Sequence, residues 1–250
     1  MPAPAGPRAW LAWSSGKDSA WTLHELRRAA ARDSTAPVVV GLLTTVNATH
    51  DRVAMHAVRR ELLELQAAAT GLPLHCAEIP WPCSNADYDR AMSAALDVAR
   101  AAGVTVMAFG DLYLQDVRRY REERLAGTGI APIFPLWGRP TQALAEELCA
   151  AGVVAHLTCV DLARLPASLA GRRYDRALLA ELPAGADPCG ENGEFHTFVS
   201  DGPMFGRPVP VAVGEVVERD GCAFADLLVA GESAGRPDLP ARRDGRVKSR

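Results

Sequence analysis

Between residues 9 and 109 short apolar runs alternate with amphipathic helical stretches, a pattern that few folds accept. Residues 9–13, 37–45, 72–79 and 104–109 read as buried strands, while 18–31, 55–70 and 88–102 carry apolar side chains at helical spacing. Strands joined by helical crossovers lie parallel, so the series predicts an α/β doubly wound parallel sheet. Such sheets take ligands at the carboxyl ends of their strands. The first strand-to-helix turn, residues 14–19, falls at that edge.

That turn reads Ser14, Ser15, Gly16, Lys17, Asp18, Ser19. Small residues let backbone N–H groups and hydroxyls converge on an anion at the helix N-terminus, where the helix dipole also favours negative charge. Lys17 is one of two lysines in a chain whose other 25 basic residues are arginine. A compact ammonium on a flexible stem can follow a phosphate through a reaction, which a rigid guanidinium fork cannot do as well. A Walker A loop would need Gly at position 11 and Ser or Thr at 18, and the chain has Leu11 and Asp18. The residues resemble instead the PP-loop of the N-type ATP pyrophosphatases, which split ATP between its α and β phosphates. Ser15 stands where that motif carries glycine, and a positive φ there would strain a serine by about 1 kcal/mol. The plainer reading is a serine-rich cap on an ordinary helix.

Gly110 and Asp111 directly follow the strand ending at residue 109, which brings a carboxylate to the same edge. Asp111 can ligate Mg²⁺ or orient a nucleotide there, or it can cap a helix starting near Leu112. His56 with Arg59, and Asn85 with Tyr88, are pairs three residues apart that share a helix face. Each pair can line the cleft; surface or capping roles fit them as well.

A second constellation lies far along the chain. Asp187, Glu191, Glu194 and His196 fall within ten residues, and Gly190 and Gly193 stand on either side of Glu191. The segment suits neither helix nor strand, so its polar groups need another reason to be there. Two carboxylates and an imidazole on a turn can bind a cationic or hydroxylated substrate and move protons during attack by an amine. A solvated polar turn before a strand is the alternative. Cys189, inside this segment, reads as a small packed residue rather than a nucleophile, because thiolate activation needs a neighbouring cation or base.

Composition narrows the class. The 250 residues are 48% hydrophobic, enough for a core without staples, and a net charge of −3 excludes a general polyanion-binding surface. Bulk nucleic-acid binding is therefore not expected. Six cysteines show no C-x-x-C spacing and no clustering with histidine, which argues against zinc and iron–sulfur sites. No run approaches 18 apolar residues and no secretory leader pattern is present, so a cytoplasmic protein with reduced thiols and no membrane partner is expected. After residue 128 the pattern changes. Residues 127–138 look like a linker, followed by helices at 141–151 and 173–182 and strands at 153–160, 208–217 and 222–230. The reading is an ATP-binding domain over 8–128, a substrate-binding α+β lobe over 129–230 and a mobile tail over 231–250.

With these pieces assembled, the sequence resembles the diphthine–ammonia ligase family of the PP-loop superfamily. The resemblance is carried by residues 13–19, 43–47, His56 with Arg59, 110–112 with 120–122, 135–138 and 190–197, the last being the most specific. It implies an adenine nucleotide alpha hydrolase-like fold, with ATP on Ser14, Ser15, Gly16, Lys17, Asp18, Ser19, Thr44, Gly110 and Asp111, and Mg²⁺ on Asp111. It implies substrate contacts from Asn85, Tyr88, Gly190, Glu191, Glu194 and His196, with Lys17, Asp18, Glu191, Glu194 and His196 catalytic. The implied reaction is adenylation of a carboxylate, release of pyrophosphate, and amidation by ammonia. Heavy Ala, Arg, Gly and Pro usage reads as a GC-rich, bacterial genome, which leaves the acyl substrate open between diphthine and another carboxylate. The competing expectations are a PP-loop thiolase or nucleobase-modifying enzyme, which would want paired cysteines, and a non-catalytic ATP sensor. A homodimer is a further open expectation.

Overall fold

The computed structural model describes residues 6–49, 52–53 and 58–231. His56 and nearly all of the expected tail therefore lie outside the described residues. Five parallel strands form the first sheet: β1 (Arg8–Ala12), β2 (Val38–Asn47), β4 (Leu74–Ile79), β5 (Val106–Ala108) and β6 (Ala131–Ile133), in the spatial order β4-β2-β1-β5-β6. A two-residue strand, β3 (Arg52–Val53), adds antiparallel to the far end of β2. From β1 the chain moves outward one way to β2 and β4, then returns to lay β5 and β6 on the other side. The order thus reverses between β1 and β5, where an open α/β sheet forms its ligand crevice.

The crossovers are α1 (Lys17–Arg32), α2 (Arg60–Thr70), α3 (Asn85–Ala101) and α4 (Gln115–Leu125). Alternation along β1 separates the two faces of the sheet. Leu11 packs with Trp21, Leu23 and Leu26 of α1 and Leu62 and Leu63 of α2, whereas Trp10 packs with Ala99 of α3 and Leu125 of α4. Helices thus cover both faces, as the alternation predicted. Residues 127–138, read above as a linker, contribute β6, and the first sheet runs on to Ile133. Pro132 lacks the N–H that a central strand must donate, and β6 accommodates it because it is the sheet's edge.

The second sheet is antiparallel, ordered β8 (Phe195–Asp201), β7 (Val154–Asp161), β10 (Cys222–Val229), β9 (Val211–Arg219). The helices α5 (Thr141–Ala150) and α6 (Arg176–Glu181) precede β8. Ala155, Leu157, Phe195, Val199 and Leu227 of this sheet join the same apolar cluster as α1, α2 and Leu144 of α5. The helices α1 and α2 are therefore shared, with one side toward the parallel sheet and the other toward the antiparallel one. This packing carries the start of β8 to the N-terminus of α1.

Candidate active site

Residues 14–19 leave β1 and enter α1 without a side-chain cap on Gly16. The first helical N–H, of Lys17, is taken by Thr197 Oγ1 at 3.1 Å, a bond from β8 across 180 residues of sequence. Ser14 Oγ lies 3.2 Å from Ser19 Oγ, and Ser19 Oγ donates to Gly16 O at 3.0 Å, so the two serines clamp the turn. Ser15 has φ of 69°, the left-handed conformation in which glycine would be unstrained. Its carbonyl accepts from Val199 N and from Gln66 Nε2, both at 3.0 Å, and its hydroxyl is buried without a partner.

Gly110 follows β5 and presses against this turn. A Cβ there would stand 3.0 Å from the Asp18 carbonyl carbon and 3.1 Å from Ser19 N, so glycine lets the two backbones meet without either giving way. Asp111 does not cap a helix, since α4 begins at Gln115 with Leu114 as its N-cap. Its carboxylate instead accepts from Arg121 Nε at 3.3 Å, and that guanidinium lies over Phe109. Thr44 is buried on β2, one residue beyond the last pairing of β1 with β2. Tyr88 packs beside Tyr120, Arg121 and Arg124, and burial raises its phenol above the ordinary value. Asn85 is exposed at the start of α3, where Ser84 and Asp87 form the capping box.

Lys17 is only 2% exposed. Its ammonium bonds both oxygens of Asp18, at 3.0 and 2.8 Å, and donates to the carbonyl of Cys189 between the rings of Tyr174 and Phe195. Burial alone would lower its pKa. Asp18, with Cys189 and Glu191 nearby, overcomes that and carries it above the ordinary value, so the charge is kept.

The 187–194 segment reaches the same edge. Glu191 Oε1 accepts from Leu112 N at 2.8 Å, directly after Gly110 and Asp111. Burial, reinforced by the charges of Asp18 and Asp111, pushes its carboxyl up to about 7. Tyr113 OH donates to Asp187 Oδ2 at 2.8 Å, a second tie between the strand end and the segment. Glu194 does not face this cleft as an open acid. It is 1% exposed, and its Oε1 accepts from Asp187 N and Asn192 Nδ2, each at 3.1 Å, so it props the turn from within. His196 is turned away. Phe195 and Thr197 both flank Lys17, and strand alternation sends His196 to the opposite face beside its register partner Cys159. Cys189 is buried, with its thiol pushed up to about 12 chiefly by burial, and is a packed residue, not a nucleophile.

Sequence reading missed four residues that build the site: Gln66, Tyr113, Tyr174 and Thr197. Gln66 alone left a trace, as a polar residue within the apolar run of α2. Among the described residues, no three His, Cys, Asp or Glu side chains gather to hold a metal, and no helix is long and apolar enough to cross a membrane.

A serine- and glycine-built turn on a helix N-terminus, at the reversal point of a doubly wound sheet and closed by a loop from a smaller antiparallel lobe, defines a PP-loop α/β protein. Comparison with known families points the same way. Residues 140–222 match the diphthamide synthase C-terminal domain. The chain is 28% identical over 246 residues to the diphthine–ammonia ligase of Danio rerio, covering 86% of this chain and 90% of that protein. It is 32% identical over 120 residues to the diphthine–ammonia ligases of Bos taurus and Homo sapiens, covering 46% of this chain and 45% of each of those proteins. The match thus spans under half the length of the bovine and human relatives. The chain is thus similar to diphthine–ammonia ligases, over most of its length in the Danio rerio comparison, and over residues 140–222 to the diphthamide synthase C-terminal domain.

Proposed function

We propose that this protein is an ATP-dependent ligase that adenylates a substrate carboxylate, releases pyrophosphate, and passes the acyl group to ammonia. The observation that carries the reading is the meeting of three separate segments, residues 14–19, 110–112 and 187–191, around the N-terminus of α1. The relatives' names supply the amide-forming reaction.

In this reading the triphosphate rests on the turn N–H groups and the helix dipole, with Lys17 as the resident cation. Asp18, Asp111 and Glu191 crowd the same edge, so a triphosphate needs added cationic screening there. Mg²⁺ suits such a place, because it binds through one or two carboxylates plus substrate phosphates. Asp18 and Asp111 are the carboxylates that would hold it, and its charge would supply screening of the phosphates. The substrate carboxylate oxygen attacks the α-phosphorus, the α–β bridging bond breaks, and pyrophosphate leaves with the electron pair. Ammonia then attacks the acyl carbon and AMP leaves. Glu191, poised near neutrality, takes the proton shed by the attacking nitrogen. The acyl substrate in this reading is diphthine or another carboxylate. An intact Lys17 and a proton-carrying Glu191 favour turnover over a passive sensor. Protein with ATP, Mg²⁺, ammonium and a diphthine-bearing protein should give AMP and pyrophosphate in equal amounts; ADP and phosphate as main products would overturn the mechanism.

A further inference from the structure

A peptide unit is planar and trans, so its carbonyl and its N–H point in opposite directions. In the Ser15–Gly16 unit the carbonyl is drawn toward β8 and α2 by Val199 N and Gln66 Nε2, both at 3.0 Å. The Gly16 N–H is thereby turned the other way, to the side of Ser14 Oγ, which it meets at a long 3.4 Å. That side holds the small-residue turn and the helix N-terminus. Were the unit to flip, a carbonyl oxygen would replace the N–H there and repel a phosphate.

Gln66 is fully buried, and its amide is wholly used. Oε1 accepts from Trp13 Nε1 at 2.7 Å, while Nε2 donates to Ser15 O at 3.0 Å and to Val199 O at 2.6 Å. An indole only donates and a carbonyl only accepts, so the amide has one orientation here. It links the end of β1, the turn and β8. We infer that Gln66 is a positioning residue that fixes the Ser15–Gly16 peptide with its N–H toward the bound anion. This rests on reading residues 14–19 as the phosphate turn, and it adds why a serine can stand at a position of φ 69°. Without the bond from Gln66, relaxation of Ser15 to negative φ would swing the Ser15–Gly16 peptide, and with it the Gly16 N–H, off its present direction.

Arg27 supplies a matched control. Its guanidinium also bridges buried carbonyls of both lobes, Thr70 O at 2.6 Å and Met204 O at 2.8 Å, but it lies ten residues, about 15 Å, along α1 from the turn. Calorimetric titration with ATP and Mg²⁺, together with thermal unfolding, should be run on wild type, Gln66→Leu, Ser15→Gly, the two combined, and Arg27→Met. Gln66→Leu should weaken ATP binding about tenfold or more, the size expected when a buried carbonyl loses a donor. Adding Ser15→Gly should recover most of that loss, because glycine holds a positive φ without strain. Arg27→Met should lower Tm while ATP affinity stays within about twofold, as expected for distant, independent sites. Gln66→Glu is the second probe, since it keeps the Trp13 bond but turns an acceptor toward Ser15 O and Val199 O. Its affinity loss should shrink as pH falls and the carboxyl regains a proton to donate. Wild-type ATP binding by Gln66→Leu, failure of Ser15→Gly to restore it, equal loss in Arg27→Met, or a pH-independent loss in Gln66→Glu would each overturn the inference. Wild type that binds no ATP would instead fail the phosphate-turn reading, and this assignment with it.

Discussion

The 14–19 turn and the 187–194 segment meet at one sheet edge but are built on opposite principles. The first is made by backbone. Its polar groups are N–H donors and short hydroxyls, locked by Ser14, Ser19, Thr197 and the Val199 and Gln66 bonds to Ser15 O. The second is made by side chains, and neighbours in its sequence do different jobs. Glu191 reaches across to Leu112 N, whereas the Oε1 of Glu194, three residues on, serves Asp187 N and Asn192 in its own turn and pairs with Arg164 at 3.6 Å. A fixed donor array suits a ligand whose charge is large and constant. A carboxyl poised near neutrality suits a proton that must move.

The largest effect expected from this contrast is at Lys17. The residue is buried between two rings, so Lys17→Met, which keeps the stem, is the informative variant. AMP formation should fall by about 10²–10³, the usual loss of one preorganised charge. Near-normal turnover would make Lys17 a tie to Cys189 and nothing more. Glu191→Gln should lower AMP formation by about 10², the low end for general acid–base catalysis, and remove the rising limb of the pH–rate profile near pH 7. The sign for stability is opposite to that of an ordinary carboxylate. The folded state holds the Glu191 proton up to about 7, against 4.5 for a free glutamate, so stability falls as pH rises through that window. Denaturation curves at several pH values should show that slope in wild type and lose it in Glu191→Gln.

Glu194→Ala tests the other half of the contrast. It should cost about 1–3 kcal/mol of stability by leaving Asp187 N without its acceptor in a buried place. A large loss of turnover with unchanged Tm would return Glu194 to direct chemistry. Ser15→Gly should add about 1 kcal/mol, from relieved φ strain and removal of an unpartnered buried hydroxyl, offset by glycine's unfolded-state entropy. His196→Ala, on the far face of β8, should leave AMP formation unchanged.

The same contrast explains what the sequence could tell. The strand–turn–helix around Lys17 was legible because its parts are contiguous, and the strained Ser15 could be anticipated from the glycine it replaces. The sheet reversal that brings Gly110 to Asp18 was legible only as a class, from alternation. The roles within 187–197 were not, because a turn sends Glu191 and Glu194 to different partners and a strand sends His196 away from its neighbours. The roles of Gln66, Thr197 and Tyr174 were hidden for another reason. Each acts through a contact formed only when the antiparallel sheet packs on α1 and α2. Edge strand β6 was hidden by Pro132, which reads as loop until its neighbour in the sheet is known.

The most direct test of the account is a crystal structure with α,β-methylene-ATP and Mg²⁺, an analogue that cannot be cleaved where the reaction is placed. The triphosphate should lie on residues 14–19, with its β and γ phosphates on the turn N–H groups and its α-phosphorus open toward Glu191. Nucleotide bound elsewhere, with that turn ordered and free of phosphate, would contradict it.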